Sequence, residues 1–349
     1  MGGHDIALLV STVDYHAGGE PFRIVVDGVR PLEGTTVLER RRFAAEVLDR
    51  VRRLVVDEPR GHADMYGCFV TEPNDPGADL GVVFFHNEGY STACGHGTIA
   101  LVTWAIESGR VPVRLPDATV TVDVPSGRLA CVATMEPDGS HVRSVRFRNV
   151  PAFVLAQAVV VETSRGPVAV DVSYGGAFYA SVDTRALGLD VSVASLPALI
   201  SLQRELRAGV DAAIGPVHPE ESELRGIYGV IYWQDEPTAD ADRALGVVLT
   251  QRNVTVFADG EVDRSPCGSG TSARLALLAV DGRLGTTAGG ALRHRSIVDS
   301  AFLGRVVGPA AVAGRPAVIT EVEGSAFLTG RHEFVLDPRD PLGTGFLLR

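Results

Sequence analysis

The stretch CGHGTIALVTWAIESGRV, Cys94–Val111, returns later in the chain as CGSGTSARLALLAVDGRL, Cys267–Leu284. Aligned without gaps, the two share Cys, Gly, Gly, Thr, Ala, Gly and Arg at the same offsets. Self-similarity of this kind marks a repeated structural unit. Between the shared positions each stretch runs apolar for the length of a helix and stops at a glycine, Gly109 or Gly282, as a helix C-terminus does. Each is preceded by an apolar run, Leu80 to Phe85 and Val254 to Phe257, that reads as a strand. The unit is strand, polar loop, Cys-Gly-x-Gly, helix, and the chain carries it twice.

Outward from these two units the sequence is largely strand-like. Short alternating segments such as ATVTVDV, RSVRFRNV, AFVLAQAVVV and PVAVDVSYGGAFYASV are punctuated by Gly, Pro and Asp. Two further helices are expected at Leu38 to Leu54 and at Ser195 to Ala208. The expected fold class is α+β, with two pseudo-symmetric halves, each a central apolar helix wrapped by strands. The seam is placed near residue 140, where PDGSH separates two strand-like runs, giving halves of 1–140 and 141–329. No low-complexity linker marks it, so the halves should be tightly apposed.

Bulk properties bound the function. The 349 residues suit two ordinary domains, and 45% hydrophobic with 21% charged residues is the balance of a soluble globular protein. The 39 glycines exceed the average share and imply tight turns and close backbone approaches. A net charge of -11 argues against nucleic acid and offers no cationic face to an anionic membrane. It leaves room for a small anionic substrate, because a helix N-terminus binds carboxylate even inside an acidic protein. The opening MGGHDIALLVSTVDYH lacks a signal-peptide pattern, and no run approaches the roughly 20 apolar residues of a membrane span. A cytoplasmic location follows as an expectation. Cys68, Cys94, Cys131 and Cys267 lie far apart, with no CxxC pair and no HExxH, so reduced thiols are expected rather than disulfides or zinc. No Walker loop and no GxGxxG after a strand points to a cofactor.

A thiol at the first turn of a helix lies near free N–H groups and the positive end of the macrodipole, both of which favour thiolate and lower its pKa. The flanking glycines let a ligand approach the backbone, so successive N–H groups can hold a carboxylate. A lone cysteine in such a place is ordinarily an inert small hydrophobe. Two in the same frame instead suggest a substrate held between two helix ends with a sulfur on each face. One thiolate then removes an α-proton while the opposing thiol delivers one to the other face. The helix-end N–H groups would stabilise the enolate-like charge that develops. Cys68 and Cys131 fall in strand-like runs and read as core.

Other candidates stay open on the residues alone. Asp263 either pairs with a substrate ammonium or is a plain loop acid. His96, the x residue of the first motif, either faces the ligand or caps the helix. The segments Asp14–Pro21 (DYHAGGEP) and Gly61–Gly67 (GHADMYG) are turn signals first and functional loops second. Tyr174–Phe178 (YGGAF) is either a bulge where backbone meets ligand or an ordinary bend.

DYHAGGEP, EPRGHADMYG, HNEGYSTACGHG, DVSYGGAFY, VDRSPCGSGTSA and DPLGTGFLLR together resemble the proline racemase superfamily, end to end. That family includes proline racemase, hydroxyproline 2-epimerase and trans-3-hydroxy-L-proline dehydratase. The resemblance implies the fold of diaminopimelate epimerase, a C-terminal segment (330–349) returning to the first half, and a homodimer. It further implies that Cys94 and Cys267 are the acid/base pair, that Gly95, His96, Gly268 and Ser269 contact substrate, and that Asp263 binds near the imino nitrogen. HNEGYSTACGHG, EPRGHADMYG, YGGAFY and GFLLR look closer to the dehydratase branch. Dehydratases of that branch typically carry Thr at the second position, where this chain has Cys267.

Because a second thiol serves reprotonation directly, the leading expectation is cofactor-independent inversion at Cα of proline or hydroxyproline. The alternative is dehydration of trans-3-hydroxy-L-proline to a pyrroline carboxylate, with Cys94 as base and Cys267 assisting departure of the hydroxyl. A catalytically silent binding module and a thiol hydrolase stand further back. The intact pair of motifs argues against the first, and the lack of a His at a pairing distance in sequence argues against the second.

Overall fold

The computed structural model describes residues 8–112, 115–285 and 289–348. The first seven residues of the N-terminal stretch and Arg349 of the C-terminal motif lie outside the described residues. The described chain forms one mixed sheet of 18 strands with few helices.

The helices are α1 (Val37–Val47), α2 (Asp49–Val56), α3 (Gly95–Glu107), α4 (Leu196–Ile214), α5 (Asp240–Ala244) and α6 (Gly268–Val280). The last of them and α3 are the two repeated stretches. Both are 13 residues long, and Gly109 (φ +74°) and Gly282 (φ +69°) take the left-handed conformation that ends them. Each is buried along its length, from Gly95 to Ile106 and from Gly268 to Ala279, so both are core helices rather than amphipathic surface ones. Upstream of each helix, beyond one short intervening strand, a longer strand pairs in parallel with the strand after the helix: Leu80–His86 with Asp117–Val124, and Val247–Phe257 with Ala291–Arg295. Each unit is thus a crossover with the helix at its centre.

Around α3 the first core gathers Phe22, Tyr66, Phe84, Val120, Val145 and Phe147. Around α6 a smaller cluster gathers Leu275, Leu278, Leu292 and Val306, beside the core that α4 covers with Leu199, Leu202 and Leu206. The sheet does not stop between them. Arg315–Gly324 pairs with Ala301–Val312 on one edge and with Val142–Arg148 on the other. Residue 140 lies in a hairpin turn that joins Gly127–Met135 to Val142–Arg148, and Val142, Val145 and Phe147 pack in the first core. Membership of the next core begins only at Phe153. Leu8–Ala17 pairs antiparallel with Ala326–Leu336, and Phe346 bridges to Glu58.

Two helix expectations need correcting. The single helix read over Leu38 to Leu54 is two, broken at Leu48 (φ -107°, ψ 5°). Leu48 buries its side chain, and Asp49 restarts the helix with its carboxylate held by Arg52. The helix read as ending at Ala208 runs on to Ile214, because Gly209 is not a stop but a point of contact with Val161. No described helix is long and apolar enough to cross a membrane.

Candidate active site

Cys94 and Cys267 are the N-cap residues of α3 and α6. The two helix starts face each other so closely that a Cβ on Gly95 would lie 2.3 Å from the Gly268 Cα, and one on Gly268 would lie 2.5 Å from the Gly95 Cα. Only hydrogen fits at this seam. The third-position glycines have a different task. A Cβ on Gly97 would stand 2.7 Å from the Cys94 sulfur, and one on Gly270 would stand 2.9 Å from the Cys267 sulfur. The Gly-x-Gly spacing therefore clears space both for the opposing backbone and for each thiol.

Both sulfurs line one small cavity of about 10 Å³, together with Gly95, His96, Asp263 and Ser269. Room for about one water means that a substrate the size of an imino acid requires the side chains of the wall to move aside. Gly268 sits against Gly95 rather than among the lining residues. Ala93 and four aromatic residues complete the wall: Tyr66, Tyr179, Tyr228 and Phe257.

The Cys94 sulfur accepts from the Gly97 N–H at 3.3 Å and lies 3.5 Å from both ring nitrogens of His96. His96 in turn is 3.9 Å from the Asp263 carboxylate. The Cys267 sulfur stands 3.7 Å from the Tyr179 hydroxyl, which shares a 2.7 Å hydrogen bond with Ser269. The Cys267 backbone holds φ +61° and ψ 103°, a region that costs a non-glycine residue about 1–3 kcal/mol. Ser265 fixes this turn, its Oγ accepting from the Cys267 N–H at 3.0 Å and its own N–H donating to Asp263 at 2.8 Å.

The electrostatics reverse one expectation. Burial drives the Cys94 thiol well above its ordinary range despite the Gly97 N–H, and the charges of Asp263, Cys267 and Glu20 add to the rise. Burial, then Asp263, pushes the Cys267 thiol up to about 12. In this site desolvation and neighbouring carboxylates outweigh the helix ends. Burial also lowers His96 to about 3, which leaves it a neutral donor and acceptor at pH 7. The same burial raises Asp263 to about 6, against the pull of its Ser265 hydrogen bonds.

Glu20 belongs to the same group. It is fully buried, accepts the Arg264 N–H at 2.7 Å through Oε2, and leaves Oε1 without a described partner. Two buried acids beside the thiols hold their protons above the ordinary range, even with the Arg264 guanidinium 3.8 Å from Glu20, and a cationic ligand would favour their ionised forms.

The raised Asp263 predicts a pH effect. A carboxyl that holds its proton more tightly folded than unfolded makes the fold lose stability as pH rises from about 4 through 6. Asp263→Asn should therefore unfold at higher urea than wild type at pH 8, by on the order of 2–3 kcal/mol, and at the same urea at pH 4. Urea denaturation at the two pH values checks this; a variant less stable at pH 8 contradicts it.

The segments left open in the sequence converge here. Gly18 packs on Ser265 and Pro266, Glu20 caps Arg264, and Asp64 accepts from the Val262 N–H. Tyr66 and Tyr179 come from the GHADMYG and YGGAFY segments, and a Cβ on Gly175 would strike the Ser269 carbonyl at 2.4 Å. Tyr228 and Phe257 belong to none of these segments. Phe257 closes the apolar run from Val254, whereas nothing around Tyr228 distinguishes it from any strand tyrosine. Cys68 and Cys131 are buried in strands away from the cavity, and all four cysteines are free.

Comparison with known proteins shows the family. Residues 12–347 match the family described as proline racemase. The chain is 48% identical to a trans-3-hydroxy-L-proline dehydratase of Burkholderia ambifaria over 345 residues, 99% of both chains. It is 47% identical over 345 residues, again 99% of both, to a 3-hydroxyproline 2-epimerase of Burkholderia multivorans. A hydroxyproline epimerase of Agrobacterium vitis, crystallised with trans-4-hydroxy-L-proline, superposes with a TM-score of 0.88 at 31% identity, covering 97% of this chain and 96% of that one. Matched along nearly its whole length, the chain belongs to the proline racemase family of isomerases and hydro-lyases.

Proposed function

We propose that the chain dehydrates trans-3-hydroxy-L-proline, with Cys94 taking the Cα proton. The observation that carries the first step is the shared cavity: two thiols at apposed helix starts, beside two buried acids and a neutral His96. The imino nitrogen enters as a cation and finds Asp263 and Glu20, whose ionised forms it favours. That cation also favours thiolate at Cys94. The carboxylate lies at the helix starts, against the Gly95 and Gly268 backbone with His96 and Ser269 beside it. There the N–H groups stabilise the charge that spreads from Cα as the proton leaves. The names of the relatives favour the second step. Several are trans-3-hydroxy-L-proline dehydratases at 44–48% identity, so water loss ranks ahead of inversion, reversing the order expected from Cys267.

Stereochemistry changes the part given to Cys267. In the trans isomer the hydroxyl is opposite the carboxylate and therefore on the same ring face as the Cα proton. Water leaves from the face of the base, so a thiol on the far face cannot assist the hydroxyl. Cys267 instead supports a second reading, 2-epimerisation of a 3-hydroxyproline, in which it protonates the flattened carbon from the opposite side.

Incubation with trans-3-hydroxy-L-proline in heavy water tests the proposal. Dehydration gives a product that borohydride reduces to proline. Recovery of 3-hydroxyproline deuterated at an inverted Cα, with no water loss, would establish the second reading in its place.

A further inference from the structure

A hydroxide ion is a poor leaving group, and expelling it requires a proton delivered from the base's side of the ring. His96 lies 3.5 Å from the Cys94 sulfur, and burial keeps it neutral. A different group meets the requirement better. Tyr179 stands against Cys267 and Ser269, while Tyr66 and Tyr228 join each other through a 2.9 Å hydrogen bond and the Tyr228 ring also meets Tyr179 edge-on at 5.7 Å. The Tyr66 ring packs edge-on against His96 with centroids 5.0 Å apart, and both Tyr66 and Tyr228 feel the charge of Cys94.

Within this pair the protons are not equivalent. The Tyr66 hydroxyl donates to Ser91 Oγ, and Ser91 Oγ donates to the Ala93 carbonyl at 3.4 Å. Tyr66 is thus committed as a donor and receives from Tyr228. The Tyr228 proton is the one that can turn to a ligand, since its only described partner is the Tyr66 oxygen, which has Ser91 to hold it in place. Tyr228 also lines an outer cleft of about 370 Å³, along with Arg41, His86, Arg207 and Glu223, so it stands between that cleft and the small cavity of the thiols. Its ring is fixed by stacking on Phe257 at 5.4 Å.

We infer that Tyr228 binds the 3-hydroxyl of the substrate and protonates it as it leaves, with Tyr66 positioning the phenol; this rests on the dehydration reading. Cys94 takes the Cα proton, and the electron pair of that bond becomes the Cα–C3 double bond. The C3–O bond breaks with its pair going to oxygen, which takes the phenolic proton and departs as water into the outer cleft. The Tyr228 phenolate regains a proton that the Cys94 thiol gives up through solvent, so both groups return to their starting states. The same hydroxyl contact makes Tyr228 a specificity residue. A site built to hydrogen-bond a ring hydroxyl discriminates strongly against the ring without one.

The test uses the full-length enzyme and its Tyr228→Phe variant with trans-3-hydroxy-L-proline in heavy water. Water loss should fall about 100-fold, while deuterium incorporation at Cα of the recovered substrate stays within about tenfold of the wild-type rate of proton removal. Tyr66→Phe should split the two rates in the same direction, but less. With trans-3-chloro-L-proline, whose chloride needs no proton, Tyr228→Phe should work within about tenfold of wild type. Dehydration at the wild-type rate in Tyr228→Phe overturns the inference. So does a parallel loss of exchange and of chloride elimination, the mark of a merely structural residue. A wild-type enzyme that exchanges and inverts Cα without losing water overturns the dehydration reading itself, and this inference with it.

Discussion

Cys94→Ala should lower both water loss and Cα deuterium exchange by about 10³-fold or more, whereas Cys267→Ala should leave water loss within about tenfold and abolish inversion. The asymmetry follows from which face of the ring each step uses. Removal of the Cα proton precedes either fate of the substrate, so no product forms without the base. Dehydration then finishes on the face where it began. Inversion alone requires a donor on the far side. The magnitude for Cys94 is that of a positioned general base, which a water in its place would not replace in basicity or orientation. Both thiols are buried and each sulfur faces a glycine, so alanine removes the sulfur without adding bulk. Stopped assays of pyrroline formation, with proton NMR of exchange in heavy water, separate the rates. Equal losses in the two variants would make inversion the main activity. Loss in Cys267→Ala with retention in Cys94→Ala would exchange the two roles.

The parts of the molecule legible in its sequence are those with local causes. The ends of α3 and α6 are marked by a cysteine N-cap and by a left-handed glycine after the last turn, and both signals survive in a single chain. The strands alternate because one face meets a core. The break at Leu48 left no such mark: an apolar residue between two charged turns continues a helical pattern on paper, and only its burial sets the angle between α1 and α2. The same applies to the seam. PDGSH reads as a boundary because it is a polar turn, but the turn joins two strands of one ladder.

Within the site, residue identities were legible and environments were not. A helix N-terminus pulls a thiol pKa down, and that reading holds for the local effect, since the Gly97 N–H does favour thiolate at Cys94. Sequence carries no measure of desolvation, nor does it show that Glu20 and Asp263, far apart along the chain, both oppose ionisation of Cys94, and Asp263 that of Cys267 as well. Tyr228 illustrates the same limit. It reaches the cavity from a strand that carries no motif, and its significance comes from a hydrogen bond to Tyr66, 162 positions away.

Gly95→Ala should reduce turnover by about 10² or more and destabilise the fold by about 1–3 kcal/mol, although alanine is the better helix former. On an exposed helix the substitution would help. Here the added methyl would lie 2.3 Å from the Gly268 Cα and 2.9 Å from the Ser269 nitrogen, where no flexible side chain can yield. Relief to ordinary contact distance requires the starts of α3 and α6 to separate by about an ångström. Both helices are packed along their whole length, so the separation strains two cores at once. It also widens the gap between the thiols and draws the helix-start N–H groups off a shared substrate carboxylate; misplacement by about an ångström costs about a hundredfold. The widened seam exposes sulfurs that burial now protects, so iodoacetamide should alkylate the variant faster than wild type while its activity falls. Urea unfolding, steady-state turnover and alkylation rate check the three consequences. An active, stable Gly95→Ala enzyme with wild-type thiol reactivity would show that the helix starts do not meet, and a chemistry shared between their two sulfurs would fail with them.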